Sequence, residues 1–447
     1  MNPMTRRQVL LGMAGAVAVR GEEVDWSKAA SEAIGHLRGY LRIDTSNPPG
    51  NTWVAAAFLA GILEENGIKV ERLDAVPNNK VNILARLKGS GRKRPVLLLN
   101  HMDTVPADRS RWQTDPFGAE IRLNRLWGRG SVDMKSTGIV HLMAMLLLQR
   151  QGVKLDRDVI FAATADEETG GDTGVKFLLA KHAAKIESEY VFDEGGFSAN
   201  RLFTEEGEVH AVSVAQKQVL WLRLTVEGTA GHGSQPTDDN APRILPRALA
   251  RITEAEPPRR AEPILDAMES RLGKLADNRF ANAIRRNTIS LTTLRAGVGE
   301  PPKENVIPSL ATASIDCRLL PGQPHTEFIE WVRRTAAEPK LKIDIAHSTP
   351  SATPSPTDTE LFRLIESTVA RHSPRARVVA YLTPFGTDGN HFRRPDRRVY
   401  GFFPVVMSAE EAMSMHSDAE RIPTAQFEKG LRIFYEVVAG LAGVNPV

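Results

Sequence analysis

Hydrophobic positions along this chain follow two periods, and the places where one gives way to the other outline the fold. Ala29, Ala33, Ile34, Leu37 and Leu41 recur at helical spacing after Ser27, the expected N-cap. The turn-forming run Asp44-Thr45-Ser46-Asn47-Pro48-Pro49-Gly50 follows, then a helix predicted over residues 52–66 and closed by Gly67. From there strands and helices alternate. Strands are predicted at residues 82–87, 96–100, 159–165 and 190–192, and helices at residues 136–151 and 173–182. The apolar runs 96–99 and 159–163 are unbroken, as in strands covered on both faces. The alternation predicts an α/β fold, a three-layer α/β/α domain around a mostly parallel sheet.

Near Val212 the pattern changes. Residues 219–226 read as a strand, residues 244–252 as a helix, 287–294 and 311–319 as strands, 326–336 as a helix and 342–346 as a last strand. The order β-α-β-β-α-β is the split ferredoxin-like motif. A Pro- and Ser-rich stretch, residues 348–356, leads back to helix–strand alternation. The expected organisation is a first part of the large domain at residues 22–210, an inserted ferredoxin-like α+β domain at 211–347, and the second part at 348–447.

Residues 1–21 read differently. Arg6 and Arg7 precede an apolar run, residues 9–19, too short for a bilayer span of about 20 residues. A basic region, an apolar region and the small residues Ala16 and Ala18 are the parts of an export signal. Thr5-Arg6-Arg7-Gln8-Val9-Leu10 resembles a twin-arginine signal, which carries folded proteins. The expectation is an exported protein, periplasmic or secreted, with no membrane span once the signal is removed.

Composition narrows the chemistry. Of 447 residues, 57 are Lys or Arg and 54 are Asp or Glu; the surplus of +3 is too small and too evenly spread for a nucleic-acid partner. Cys317 is the sole cysteine, which excludes an intrachain disulfide and a cysteine-rich metal site. Any metal must be held by His, Asp and Glu.

Those residues gather where predicted strands end. The strand at 96–100 runs into His101-Met102-Asp103, that at 159–165 into Asp166-Glu167-Glu168, and that at 190–192 into Asp193-Glu194-Gly195-Gly196. Carboxyl ends of strands in open α/β sheets border the ligand crevice. The loop Gly128-Arg129-Gly130-Ser131-Val132-Asp133-Met134-Lys135 delivers Asp133 just before a helix, and Met415-His416-Ser417-Asp418-Ala419-Glu420 adds another histidine. Imidazole and carboxylate without thiolate suit Zn²⁺, with Co²⁺ or Mn²⁺ as alternatives. The ligands exceed what one ion needs and would serve two ions about 3.5–4 Å apart. His101 and Asp103 lie two apart on an extended segment and share a side, so Asp103 is expected to bond the imidazole and fix its tautomer. Of Glu167 and Glu168, one would ligate a metal and the other reach a bridging water. Asp193 and Glu194 are both open as ligands.

Together these motifs resemble the dinuclear-zinc aminoacylase/carboxypeptidase family, which includes aminoacylases, yeast carboxypeptidase S, glutamate carboxypeptidases, acetylornithine deacetylase and succinyl-diaminopimelate desuccinylase. The resemblance covers essentially all of the chain after residue 21 and takes in Gly231-His232-Gly233-Ser234 and Asn305-Val306-Ile307-Pro308. It implies that Asp133 bridges two metals, that His101 and Glu194 complete one site, and that Glu168 and His416 complete the other. Its Glu-Gly-Gly register favours Glu194 over Asp193. It implies Glu167 as general base, Asp103 as the group orienting His101, and a cis peptide between Asp133 and Met134. It makes the inserted domain a lid and dimerisation domain whose His232 stabilises an oxyanion in a neighbouring active site. Asn305 and Arg318 match positions that hold the substrate's amide or terminal carboxylate, a task the arginine fork suits. Gly386-Thr387-Asp388-Gly389 resembles a loop lining the substrate pocket.

The implied function is a metal-dependent hydrolase, working as a homodimer, that cleaves an amide next to an amino acid carboxylate in an N-acyl amino acid or short peptide. Two other readings stand beside it. A dinuclear phosphoesterase also uses His and carboxylates, and a non-catalytic binding protein could keep the fold, although such proteins usually lose the base or a ligand. His36, His141, His182, His210, His325, His347, His372 and His391 fall outside the motifs and read as structural. Cys317 lies in an alternating strand and is expected to be packed and inert.

Overall fold

A computed structural model describes residues 23–444, so the expected export signal, residues 1–21, lies outside the described residues. The first helix is Trp26–Leu41, and its apolar face buries Ala29, Ala33, Leu37 and Leu41. Its cap is Asp25 rather than Ser27: the Asp25 carboxylate accepts the Lys28 N–H at 3.0 Å. Either side chain could take an orphan first-turn donor, and periodicity alone cannot choose between caps two residues apart.

The large sheet has ten strands. At its centre, Val159–Thr164, Val96–His101 and Tyr190–Asp193 lie side by side and parallel, followed by Arg398–Gly401. Successive side chains feed opposite cores. Val96 and Leu98 enter the core shared with helices Trp26–Leu41, Lys135–Gln151 and Phe427–Leu441. Leu97 and Leu99 enter the other, with Val175 and Leu178 of helix Val175–Lys181. Burying each such side chain contributes about 1.5–3 kcal/mol. This is the three-layer arrangement that the unbroken apolar runs require. Because the three central strands are parallel, their carboxyl ends open on one edge, with His101 opposite Thr164.

Strand Val70–Val76 was not legible from the pattern. It is an edge strand, antiparallel to Lys80–Leu87, with only Leu73 buried.

The second sheet is wholly antiparallel, in the order Thr288–Ala296, Leu310–Leu319, Gln218–Glu227, Lys342–Ser348. Helices Ala241–Glu254 and His325–Ala336 pack on one face over Leu220, Leu222 and Leu224. Trp221 remains 44% exposed. Cys317 is buried in this core, and desolvation pushes its thiol up.

Within the expected insert at 211–347, some elements pack on the large sheet rather than on the small one. Strand Glu208–Gln216 pairs parallel with Arg377–Thr383 inside the large sheet. Helices Pro263–Leu272 and Arg279–Ile284 send Leu265, Met268 and Ile284 into the large core. Their apolar faces find a partner there that the small sheet, already covered by two helices, does not offer. Among the described residues, no helix is long and apolar enough to cross a membrane.

Candidate metal centre

Two sets of ligating atoms converge at the strand ends. His101, Asp133 and Glu194 form one; Asp133, Glu168 and His416 form the other; within each set the atoms lie within 4.8 Å of one another. Asp133 belongs to both. Its Oδ1 lies 3.0 Å from His101 Nε2 and its Oδ2 lies 3.0 Å from His416 Nε2. The peptide from Asp133 to Met134 is cis.

The loop bearing Asp133 is held from below. Glu420 Oε1 accepts the backbone N–H of Val132 at 2.8 Å and of Asp133 at 3.2 Å, and Arg129 Nη1 donates to Glu420 Oε2 at 2.6 Å. Both side chains of that pair are buried. Breaking a buried pair by removing one partner costs about 3–5 kcal/mol, so Arg129 and Glu420 fix the loop rather than merely decorate it.

His101 Nδ1 donates to the backbone carbonyl of Asp103 at 3.0 Å, which leaves Nε2 facing Asp133 and Glu194. This corrects the expected bond from the Asp103 carboxylate, whose nearer oxygen is 3.6 Å from Nδ1. The carboxylate is engaged elsewhere. Its two oxygens accept the backbone N–H groups of Glu167 and Glu168, both at 3.2 Å, and Asn47 Nδ2 at 2.7 Å. Asp103 therefore positions the loop that carries both glutamates, and orients His101 through its main chain.

Behind that loop stands a polar network that the sequence did not reveal. Asn47 Nδ2 also reaches Asp166 Oδ1 at 3.2 Å, and Lys80 Nζ donates to Asp166 Oδ1 at 3.0 Å and to Asn47 Oδ1 at 3.2 Å. Although burial opposes it, these bonds and one from Thr169 hold the Asp166 carboxyl well below its usual range. Asp166 and His416 both adopt left-handed backbone, φ +76° and +62°, which side chains rarely adopt outside constrained sites. Asn47 stood in a run legible only as a turn, and Glu420 in a motif read for its histidine.

The structure brings Glu194 to His101 and turns Asp193 away. Asp193 Oδ2 accepts Thr387 Oγ1 at 2.6 Å and the Gly389 N–H at 3.0 Å. The chain must turn sharply here: Gly195 has φ +80°, and a Cβ on Gly196 would fall 2.3 Å from the carbonyl oxygen of Gly401. Asp388 is buried beneath the site, accepting Thr164 Oγ1 at 3.0 Å, with its carboxyl pushed up to about 8 by burial. It supports the sheet end, whereas Phe385 of the same loop lines a small cavity that Glu194 also borders.

The lid residues are placed apart from this cluster. His232 pairs across a two-residue ladder with Val306, and Gly233 N–H donates to the Asn305 carbonyl at 2.7 Å. His232 is exposed, and its Nδ1 meets Ser234 Oγ at 2.8 Å. The Arg318 fork is occupied: Nε and Nη2 bond the two Asp316 oxygens at 2.8 and 3.0 Å. Among the described residues, no hydrogen bond or ion pair joins these three to the carboxylate cluster.

The electrostatics fit cations. Burial pushes the Glu167, Glu168 and Glu194 carboxyls up, and mutual repulsion adds to it: Glu194 acts on Glu167, and Asp133 acts on Glu168 and Glu194. Burial works against charge on His416, yet its bonds to Asp133 and Glu168 push it up to about 11. His101 is likewise raised, against desolvation, by Asp103, Asp133 and Glu194. So many acceptor-only groups in a dry site demand positive charge between them. Nitrogen and oxygen donors in two sets sharing one carboxylate match the ligand types of paired divalent ions.

Comparisons with known proteins agree with that geometry. The chain is 26% identical over 376 residues to the N-fatty-acyl-amino acid synthase/hydrolase PM20D1 of Mus musculus, covering 77% of this chain and 74% of that one. It is 26% identical over 413 residues to Aminoacylase-1 of Sus scrofa, covering 91% and 95%. The fold matches an M20 family metallo-carboxypeptidase from Sulfolobus solfataricus with a TM-score of 0.70 at 16% identity, over 91% of this chain and 98% of that one. The model of peptidase family M20/M25/M40 matches residues 97–440, and the chain belongs to that family.

Proposed function

We propose that this metal-dependent hydrolase of amide or peptide bonds releases an amino acid from an N-acyl amino acid or short peptide. The observation that carries the reading is the pair of ligand sets sharing Asp133, with Glu167 next in the chain to one of their members. The family match argues against the phosphoesterase and the non-catalytic alternatives.

His101, Asp133 and Glu194 would hold one divalent ion and Asp133, Glu168 and His416 a second, with zinc the proposed metal and cobalt or manganese the competitors. Bound ions polarise the carbonyl and acidify water at neutral pH. Glu167 takes the proton of the attacking water and returns it to the departing amine. His232 donates a hydrogen bond to the developing oxyanion, a contribution of about 2.7–4 kcal/mol where such donors have been removed. Arg318 keeps Nη1 free of Asp316 to meet a substrate carboxylate, with Asn305 beside His232. Because His232 is exposed, we place its action in the active site of a second copy, making the enzyme a homodimer. Residues 1–21 would export the chain, through the twin-arginine route, to the periplasm or beyond.

The test is amine release by residues 22–447 from a panel of N-acyl amino acids and dipeptides, with added zinc, with chelator and with Glu167→Ala. Chelator-sensitive release that vanishes in the variant is expected. Turnover of a phosphate ester with no amide cleaved would overturn the reading. Mixing His232→Ala with Glu167→Ala chains should give activity above that of either alone; no recovery would place His232 in its own chain's site.

A further inference from the structure

Between helix Ala241–Glu254 on the small sheet and helix Pro263–Leu272 on the large core, the chain crosses from one domain to the other. It returns between helix Arg279–Ile284 and strand Thr288–Ala296. The two crossings are tied together: Asn287 Nδ2 donates to the Pro258 carbonyl at 3.3 Å. Both border a cavity of about 390 Å³, lined by four arginines, Arg259, Arg260, Arg285 and Arg286, against one carboxylate, Glu256. That volume lies in the range of small-molecule sites. The guanidiniums are poorly matched. Glu256 serves two of them at long range, Arg259 at 3.3 Å and Arg286 at 3.7 Å. Arg260 has no hydrogen bond or ion pair among the described residues; its guanidinium lies over the turn at Gly322, where a Cβ would fall 3.3 Å from Nη2. Arg285 is held in place by the Leu275 carbonyl at 3.1 Å and Asn282 Oδ1 at 3.0 Å. Behind them, buried Lys217 donates to the Arg286 carbonyl; burial first, then the Arg318 and Arg286 charges, push its ammonium down to about 7. Elsewhere the chain matches buried arginines closely, as with Arg129 on Glu420 or Arg157 on Glu189 and Glu360. A second cavity, about 610 Å³, shares Arg259 and Arg260 and reaches Arg334, but there Glu327 and Glu330 offset the charge. The positive excess is concentrated in the first.

We propose that this cavity binds a small molecule carrying at least two oxyanion groups, at a site separate from the metal centre. None of the metal-ligand candidates lines it. Arginine forks bond oxyanions bidentately, and a cleft lined by one sign of charge concentrates its counter-ion. A monoanion would leave most of the guanidiniums unmatched, so the preference is for a dianion or higher. Because each crossing supplies arginines, a bound polyanion joins the two and steadies the small domain against the large one.

The probe is ethane-1,2-disulfonate, a dianion that does not chelate zinc, with ethanesulfonate as its monoanionic partner. Binding of each to the zinc-loaded protein is measured by calorimetry at low and at high salt. The disulfonate is expected to bind about tenfold or more tightly than the monosulfonate, and salt to weaken it. Arg260→Ala and Arg286→Ala should each cost about tenfold, the loss of one charge-assisted bond. Arg260→Lys, which keeps the charge without the fork, should lose less, and the distant Arg72→Ala should lose nothing. The disulfonate should raise the Tm of the wild type and not that of the doubly substituted R260A/R286A chain. Equal affinity for the two sulfonates, or disulfonate binding unchanged in both alanine variants, would overturn the assignment. So would binding that survives Arg260→Ala and disappears when the metal is removed, since that places the anion at the metal centre.

Discussion

In the large sheet, His101, Glu168 and Glu194 stand at the ends of strands covered on both faces; in the small sheet, Arg318 stands on the open face, and His232 and Asn305 on a short two-stranded ladder at the sheet's other end. The first group is assembled within one chain. Its members touch, are desolvated together and shift one another's protonation. The second group is exposed or paired with its own neighbours. A doubly covered sheet can fix polar groups against one another, because the surrounding core pins their backbones. A half-open sheet can only present groups to whatever closes over it.

That contrast can be broken at both ends. Asp133→Asn should act most strongly, because one carboxylate serves both ligand sets. Metal content measured by elemental analysis should drop from two, and kcat by about 10³-fold or more, given the several kcal/mol that bound ions contribute. His232→Ala should lower kcat by about 10²–10³-fold with metal content unchanged; full activity would reduce His232 to a structural ladder residue. Lys80→Met sharpens the comparison within the large domain. It leaves Asp166 uncompensated and loosens the loop of Glu167 and Glu168, so kcat should fall about 10–100-fold at constant KM and metal content.

The smallest expected effect concerns His141, buried in helix Lys135–Gln151 and stacked on Phe434 at 4.9 Å. Neither ring nitrogen has a partner, and burial lowers its pKa to about 3. The unfolded chain, at about 6.5, takes the proton first as pH falls. The stability contributed by keeping this ring neutral is thus complete above pH 6.5 and is lost on acidification toward pH 3. His141→Phe should therefore gain on the wild type by about 1 kcal/mol between pH 6.5 and 5.5 in denaturant titrations. Equal slopes for both proteins would contradict this. His101 and His141 are equally buried, and their surroundings drive them in opposite directions.

His101, Glu167, Glu168 and Glu194 were legible as candidates because they follow strongly apolar strands, where period and punctuation are clear; Asp133 and His416 lie in loops and were picked out by the family resemblance. The lid's strands were legible for the same reason. What escaped was non-local. Asn47, Lys80 and Asp166 lie far apart in sequence and meet only when the first turn folds over the sheet. The helix Pro263–Leu272 looks like any amphipathic helix, and nothing in its own residues says that it packs against Arg377–Thr383 rather than on the lid. Asp103 was rightly placed beside His101, but two backbone N–H groups from a distant loop took its carboxylate.

By itself the sequence determined the layer order of the large domain and the split motif of the small one, and it offered candidate ligands whose roles came from the family resemblance. The layers and the split motif follow from side-chain period and residue type, which are local. Only the tertiary structure decided that Glu194 rather than Asp193 faces His101, that Arg318 already holds Asp316, and that an apolar cavity adjoins the centre. Each of these depends on which distant backbone arrives to satisfy a polar group or to leave a space beside it, and that is settled by packing.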